Sequence, residues 1–297
     1  MAQNYLQDRS WADANWSTGT NPAANGEAYI PESLATDVDQ DLDEGTIDLN
    51  LLWISPGFKH NIGASSNELK IAADLVVHNG TGELHYDCSL GAGSALITDE
   101  MRIMCANNTG KAFLDSEESD LGTWGKLVVA RGEVVCAGTM KWAAGAIVEV
   151  GFIDDPLTDA SLTMQSNANT LAIYNQKAGK TDSTCTITRA DVCGGTLLQK
   201  DKLITTLHVS GGPNGSGLVI YKHTALTTAN VWAGGVLDLT QFYSDDLTVT
   251  TLNLWPGGTV YGQFDHGGAQ VHGPVTVTTL NNMGGRILPY NPNLGVR

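Results

Sequence analysis

The sequence predicts an all-β chain, wound as a parallel β-helix (solenoid) behind an atypical N-terminal cap or arm. Three observations predict it: a glycine-punctuated repeat in the C-terminal third, period-two patterning elsewhere, and a surface poor in charge. A β-sandwich or jelly roll is the alternative that the same strand-rich composition allows.

The repeat is the strongest of the three. Thr205-Thr206-Leu207-His208, Thr227-Thr228-Ala229-Asn230, Thr250-Thr251-Leu252-Asn253 and Thr278-Thr279-Leu280-Asn281 each run on to a Gly-Gly pair, and Ile187-Thr188-Arg189-Ala190 is a weaker forerunner. The pairs begin at 194, 211, 234, 257 and 284, with spacings of 17, 23, 23 and 27. A period near the low twenties belongs to a solenoid, in which one short unit cannot bury its apolar face alone and stacks on the next. The paired glycines are expected at corners that require positive φ. Stacking would set His208, Asn230, Asn253 and Asn281 above one another as a structural ladder with side-chain amides bonding from unit to unit. Trp232 and Trp255 would stack likewise, in preference to lying open for a sugar ring.

The patterning extends the strand assignment. Leu247-Thr248-Val249-Thr250 and Val275-Thr276-Val277-Thr278 alternate apolar and hydroxyl residues as half-buried strands do. Over 68–78, Leu69, Ile71, Ala73, Leu75 and Val77 alternate with mostly polar neighbours, so period two outweighs a helical reading. Asn79-Gly80-Thr81-Gly82, Asn107-Asn108-Thr109-Gly110 and Arg131-Gly132-Glu133 read as turns, the last as a hairpin or a corner. The expected divisions are an arm or cap at 1–60, a β-rich domain at 61–160 and repeat-built coils at 161–297. A soft boundary near 155–165 falls at Asp154-Asp155-Pro156.

Charge and cysteine usage exclude several functions. Charged residues make up 16% of the 297, with a net charge of −16. Residues 1–60 hold ten acids against Arg9 and Lys59. Such a chain repels phosphate, so direct nucleic-acid binding is not expected. No apolar run reaches the ~20 residues of a membrane span, and the first thirteen residues show no secretory h-region. The five cysteines, Cys88, Cys105, Cys136, Cys185 and Cys193, are odd in number and contain no CxxC pair. Buried free thiols made in a reducing cytoplasm are the expectation.

Several clusters invite chemistry and fall short of it. Asp37, Asp39, Asp41, Asp43, Glu44 and Asp48 suggest a calcium loop, but Leu42 and Asp48 stand where an EF-hand needs glycine and glutamate. Asp154/Asp155, Asp245/Asp246 and Glu117/Glu118 could be glycosidase carboxylates, yet strand neighbours point to opposite faces and do not converge. Asp265-His266 and His272 have no accompanying GxSxG or HExxH. His223 reads as an isolated strand histidine, and Cys185 with Cys193 lack the histidines of a zinc site. No catalytic residue, metal or cofactor is expected.

Asn15-Trp16-Ser17-Thr18-Gly19, Pro22, Gly26-Glu27 and Tyr29-Ile30 resemble a first-coil pattern common in β-helical bacterial surface and phage proteins. The resemblance covers about sixteen residues and implies a β-helix. Exported relatives of the pattern carry signal sequences or membrane anchors, and neither is evident here, which points to phage virion proteins. Similar phage proteins are often homotrimers that decorate the head or form tail appendages. The resemblance therefore implies a non-enzymatic decoration or cement protein on the capsid exterior, bound to the major capsid protein. A tail fibre or tailspike-like receptor- or glycan-binding protein is the alternative. Trp11, Trp16, Pro22 and Tyr29 are the expected partner contacts.

Overall fold

The computed structural model describes residues 3–12, 15–87, 97–105, 109–115, 123–136, 142–151, 160–165, 170–240, 247–262 and 275–289. The protein is all-β, with no α-helix among these residues. It divides into two compact units, one formed by 1–149 with 159–169, the other by 150–158 with 170–297.

The first unit contains β1 (Asn4–Tyr5), β2 (Glu27–Ile30), β3 (Asp43–Ile54), β4 (Leu69–His78), β5 (Glu83–Asp87), β6 (Ile97–Met104), β7 (Lys111–Asp115), β8 (Thr123–Cys136), β9 (Trp142–Val150) and β10 (Ala160–Met164). β1, β2, β3, β4, β6 and β8 form one parallel ladder. A second runs through β5, β7, the end of β8 and β10. β4 and β8 are long enough to turn a corner and serve both ladders. The start of β4 pairs with β5, which closes β4, β5, β7, β8 and β6 into a parallel ring with the other strands outside it.

These corners refine the sequence patterning. Gly132 has φ 103° inside β8, so Arg131-Gly132-Glu133 is a bend within one strand and not a hairpin. In β4 the alternation changes phase: Leu69, Ile71 and Ala73 are buried, but beyond Asp74 it is Val76 and His78 that continue the inward set while Leu75 is half-exposed. A straight period-two reading cannot cross a corner, because the bend reassigns inside and outside. Residues 1–60 extend the first ladder itself, since β2 and β3 carry it on to β4.

The second unit contains β11 (Leu171–Gln176), β12 (Lys180–Ser183), β13 (Ile187–Val192), β14 (Gly195–Lys200), β15 (Ile204–Val209), β16 (Gly211–Gly212), β17 (Gly215–Lys222), β18 (Ala225–Val231), β19 (Val236–Asp238), β20 (Leu247–Leu254), β21 (Thr259–Tyr261), β22 (Val275–Asn282) and β23 (Arg286–Leu288). Leaving aside the two-residue β16, each strand pairs in parallel with the next but one. One ladder is β11, β13, β15, β18, β20 and β22. The other is β12, β14, β17, β19, β21 and β23. The short β16 pairs with β17 antiparallel in a small hairpin. A sandwich or jelly roll built of antiparallel pairs does not fit this pattern.

Matching positions form the core. Ala190, Leu207, Ala229 and Leu252 share one buried row, and Leu197, Val219, Leu237 and Val260 share another. Each fully buried Leu or Val contributes about 1.5–3 kcal/mol. The interior also holds polar side chains that satisfy corner carbonyls. Gln176 Nε2 donates to Gly179 O at 3.0 Å and Thr196 O at 3.1 Å, Gln199 Nε2 to Cys185 O at 2.8 Å, and Tyr221 Oη to Ala225 O at 2.6 Å.

The glycine pairs divide two tasks between them. Gly234, Gly257 and Gly284 have positive φ of 75°, 81° and 115°, as a corner requires. Their followers do not, yet a Cβ on Gly235 would lie 2.4 Å from Val209 O, and one on Gly258 2.7 Å from Val231 O. In these three pairs the second glycine is therefore there for close approach of two backbones; at 194–195 the order is reversed, with φ 72° at Gly195 and a Cβ on Gly194 only 2.2 Å from Lys177 O. The pair at 211 is a correction to the repeat alignment. Gly211-Gly212 forms an arm of the small hairpin, and it is Gly217 that pairs with Gly195.

Two predictions follow from packing. Gly235→Ala should lower stability by more than about 2 kcal/mol through overpacking. Gly215→Ala, with φ 107° and open space around its Cβ, should cost only about 1–2 kcal/mol of backbone strain; urea unfolding of both variants tests the order. The second concerns His78, buried beside Ile54 and Gly80, whose pKa burial pushes down to about 4 against weaker opposing backbone contacts. Because the folded value lies below the ordinary 6.5, the unfolded chain binds more protons between the two. Stability from this group is complete above about pH 6.5 and falls by roughly 3 kcal/mol as pH drops to 4. His78→Leu should flatten that portion of the pH–stability curve.

Candidate functional site

Strand alternation in the first unit sets an aromatic row on its outside. Tyr5 pairs with Tyr29, and Tyr29 with Trp53, along β1, β2 and β3. Each is flanked by buried residues, Asn4 and Leu6, Ala28 and Ile30, Leu52 and Ile54, so the three rings must face outward. The Tyr5 and Tyr29 ring centroids are 5.4 Å apart at 41°. Tyr5 remains 39% exposed and Trp53 36%.

The row forms one wall of an open groove of about 610 Å³, completed by Gln3, Ile30, Pro31, Glu32, Leu51 and Ser55. Among the described residues no Lys, Arg or His lines it. Tyr29 Oη donates to Glu27 Oε2 at 2.9 Å, and Tyr5 Oη donates to Gln3 Oε1. Burial, reinforced by Glu27, raises the Tyr29 pKa and keeps the hydroxyl protonated as a donor. The groove therefore combines flat apolar faces with carboxylate, amide and hydroxyl groups.

Of the four expected partner contacts, the structure leaves Tyr29 alone in this groove. Trp11 and Trp16 are wholly buried, edge to face at 4.9 Å and 73°, with Trp16 Nε1 donating to Trp11 O at 2.9 Å. Pro22 is buried too. Trp16 bridges to Leu6 beside β1, and Asn4 ties down the following loop through Thr20 O at 3.0 Å and Thr18 Oγ1 at 2.9 Å. These side chains cover the first strand's apolar face, and a partner could reach the indoles only by unfolding that layer.

In the second unit, the register runs Asn175, Asp191, His208, Asn230, Asn253 and Asn281. Asn253 Nδ2 donates to Asn230 Oδ1 at 2.8 Å, and Asn281 Nδ2 to Asn253 Oδ1 at 2.7 Å. His208 occupies the row by register but turns its ring onto Trp232, with centroids 5.0 Å apart at 25°. Trp232 stacks in turn on Trp255 at 5.1 Å and 27°. Burial lowers the His208 pKa, and Asp191 opposes the shift. Both features are joints between strands, with their hydrogen-bonding groups and ring faces turned toward one another.

The remaining candidates give no assembled chemistry. Asp39 is paired with Arg9, Asp37 accepts from Asn61 N at 2.9 Å, and Asp41, at φ 53°, accepts from Ser10 Oγ. Among the described residues no group of three or more His, Cys, Asp or Glu is placed to hold a metal. His223 Nδ1 accepts from Ala225 N at 3.2 Å within a turn. Cys105, Cys136 and Cys185 are buried, Cys193 is half-buried, and none of the four forms a disulfide. Burial pushes the Cys105 thiol up to about 11 and the Cys185 thiol up to about 12, which leaves both unreactive. Glu117, Glu118, Asp154, Asp155, Asp245, Asp246, Asp265, His266, His272 and Cys88 lie outside the described residues.

Tyr5 and Trp53 are not among the expected contacts, although a signal exists. Tyr5, Tyr29, Trp53 and Val77 are spaced 29 − 5 = 24, 53 − 29 = 24 and 77 − 53 = 24 residues apart. Comparison with known proteins found no matching family, no matching curated protein and no matching solved structure.

Two substitutions separate the structural from the surface aromatics. Trp16→Ala should cost about 3–5 kcal/mol, as for other buried large-to-small changes, whereas Trp53→Ala should cost under about 1 kcal/mol. In the amide row, Asn253→Ala removes a donated and an accepted bond and should cost about 1–2 kcal/mol. Denaturant midpoints at unchanged slope provide the measurement.

Proposed function

We propose that this chain is a non-enzymatic structural protein of a phage particle, wound as a parallel β-helix and mounted on the exterior of the head as a decoration or cement protein. The observation that carries the reading is the in-register repetition of whole strands, from Ile187 to Asn282, with Thr206, Thr228, Thr251 and Thr279 in one row and Asn230, Asn253 and Asn281 in another. Read as successive turns of one solenoid, the two ladders are two of its faces and the glycines its corners. Such a stack is stiff and offers long flat surfaces, both suited to bracing a shell.

Two further properties support it. A net charge of −16 disfavours contact with nucleic acid, so the contact made on the particle is protein to protein. Buried, unbridged thiols suit a protein folded in a host cytoplasm and released by lysis. The partner in this reading is the major capsid protein, and three copies assemble, as the N-terminal resemblance implies. A second reading, a receptor- or glycan-binding tail appendage, is favoured by the outward aromatic row of Tyr5, Tyr29 and Trp53.

Immunogold labelling of purified particles tests the assignment. Label over the head surface is the expected result, with saturable rebinding of purified protein to heads that lack it. Label at the tail would transfer the chain to the second reading. Particles without the protein would overturn both.

A further inference from the structure

We propose that the groove of Tyr5, Tyr29 and Trp53 is a binding site for an uncharged saccharide chain. The inference stands apart from where on a particle the chain sits, and it concerns a different surface from the Trp232–Trp255 stack.

The geometry of the row favours an extended ligand. Parallel strands are about 4.8 Å apart, so three rings in register present a platform roughly 10 Å long. All three lie on one wall, on neighbouring strands. A cage for a single quaternary ammonium would instead surround the cation with ring faces on several sides. The apolar C–H faces of sugar rings fit a row of flat aromatics, while their hydroxyls need donors and acceptors at the edges. Glu32, Gln3 and Ser55 provide these along the groove. The Tyr29 hydroxyl is already oriented by Glu27 at 2.9 Å.

Charge narrows the class. The lining includes the Glu32 carboxylate, Glu27 on β2 accepts from the Tyr29 hydroxyl, and among the described residues no basic side chain lines the groove. An anionic occupant such as a sialylated, uronic or phosphorylated glycan would be repelled. Nor does the fold need these aromatics where they are. Tyr5 and Trp53 keep more than a third of their surface in water, although their strands already bury Leu6, Leu52 and Ile54 in the core. An exposed apolar patch flanked by polar groups is the signature of a surface that something else covers.

The test uses the full-length protein on an array carrying neutral hexasaccharides of glucose, mannose, galactose and N-acetylglucosamine beside polysialic and polygalacturonic hexamers. Retention of at least one neutral chain and of neither anionic one is expected. Titration of the retained sugar should show Trp53→Ala weakened at least about tenfold with a melting temperature within a few degrees of the parent's. Tyr5→Ser serves as a second variant should Trp53→Ala fold poorly, and Trp232→Ala should bind as the parent does. Absence of binding to every neutral chain, preference for the anionic ones, or full affinity in both groove variants would overturn the proposal. Displacement of the sugar by tetramethylammonium at low concentration would also overturn it, by identifying a cation site. None of these outcomes depends on particle labelling, so failure here leaves the structural assignment standing.

Discussion

Parallel in-register pairing of strands is the constraint on which the rest of this protein depends. A residue in such a ladder meets its own equivalents above and below, so each position must tolerate repetition of its own chemistry. Apolar residues satisfy this by forming a continuous core, as Leu207, Ala229 and Leu252 do. Amides satisfy it because asparagine carries both donor and acceptor, and aromatics because ring faces stack. Opposite charges satisfy it by pairing across strands, and where like charges share a register, as Lys200 and Lys222 do, an acid such as Asp182 supplies the opposite sign. Glu100 on β6 meets Lys126 on β8 at 3.6 Å, Lys126 reaches Glu149 on β9 at 3.1 Å, and Arg102, two residues along β6, lies 2.8 Å from Glu100. The low charge content of the chain reflects the same requirement: an unbalanced charge in a ladder would face its own kind at ~4.8 Å.

Much of the fold was legible for that reason. Repetition in space leaves repetition in sequence, and the Thr-Thr-Leu-Asn segments announced their own register. Legibility ended where a local feature breaks the periodicity. Gly211-Gly212 resembles its counterparts in sequence but belongs to a hairpin, because Pro213-Asn214-Gly215 supplies a competing turn. The inward set of β4 changes phase at a bend that no short window of alternating residues records. His208 holds its place in the amide row, yet its ring has more to gain from the face of Trp232 than from an amide.

The surface row shows a different limit. Trp11 and Trp16 are expected contacts because they lie in the N-terminal segment whose composition differs from the rest and which carries the resemblance. Whether an indole faces in or out depends on strand phase and on which loop folds back, and β1 is only two residues long. Tyr5 and Trp53 belong to the same 24-residue spacing as Tyr29, but each is a single aromatic embedded in a different local sequence. The period becomes visible only when the outward positions of separate strands are compared with one another.

The two-glycine corners carry a consequence for how such a chain can change. Where backbone already touches backbone, as Gly235 does Val209 and Gly258 does Val231, there is no room for an inserted residue and little for a substituted one. Differences in repeat length must then be taken up away from these points. The hairpin at 211–216 is one such place, and the stretch between β19 and β20 another. The corners behave as fixed pins, and novelty is confined to the spans between them. A lineage built on this plan can acquire new surface features by lengthening those spans without disturbing the stack that holds them.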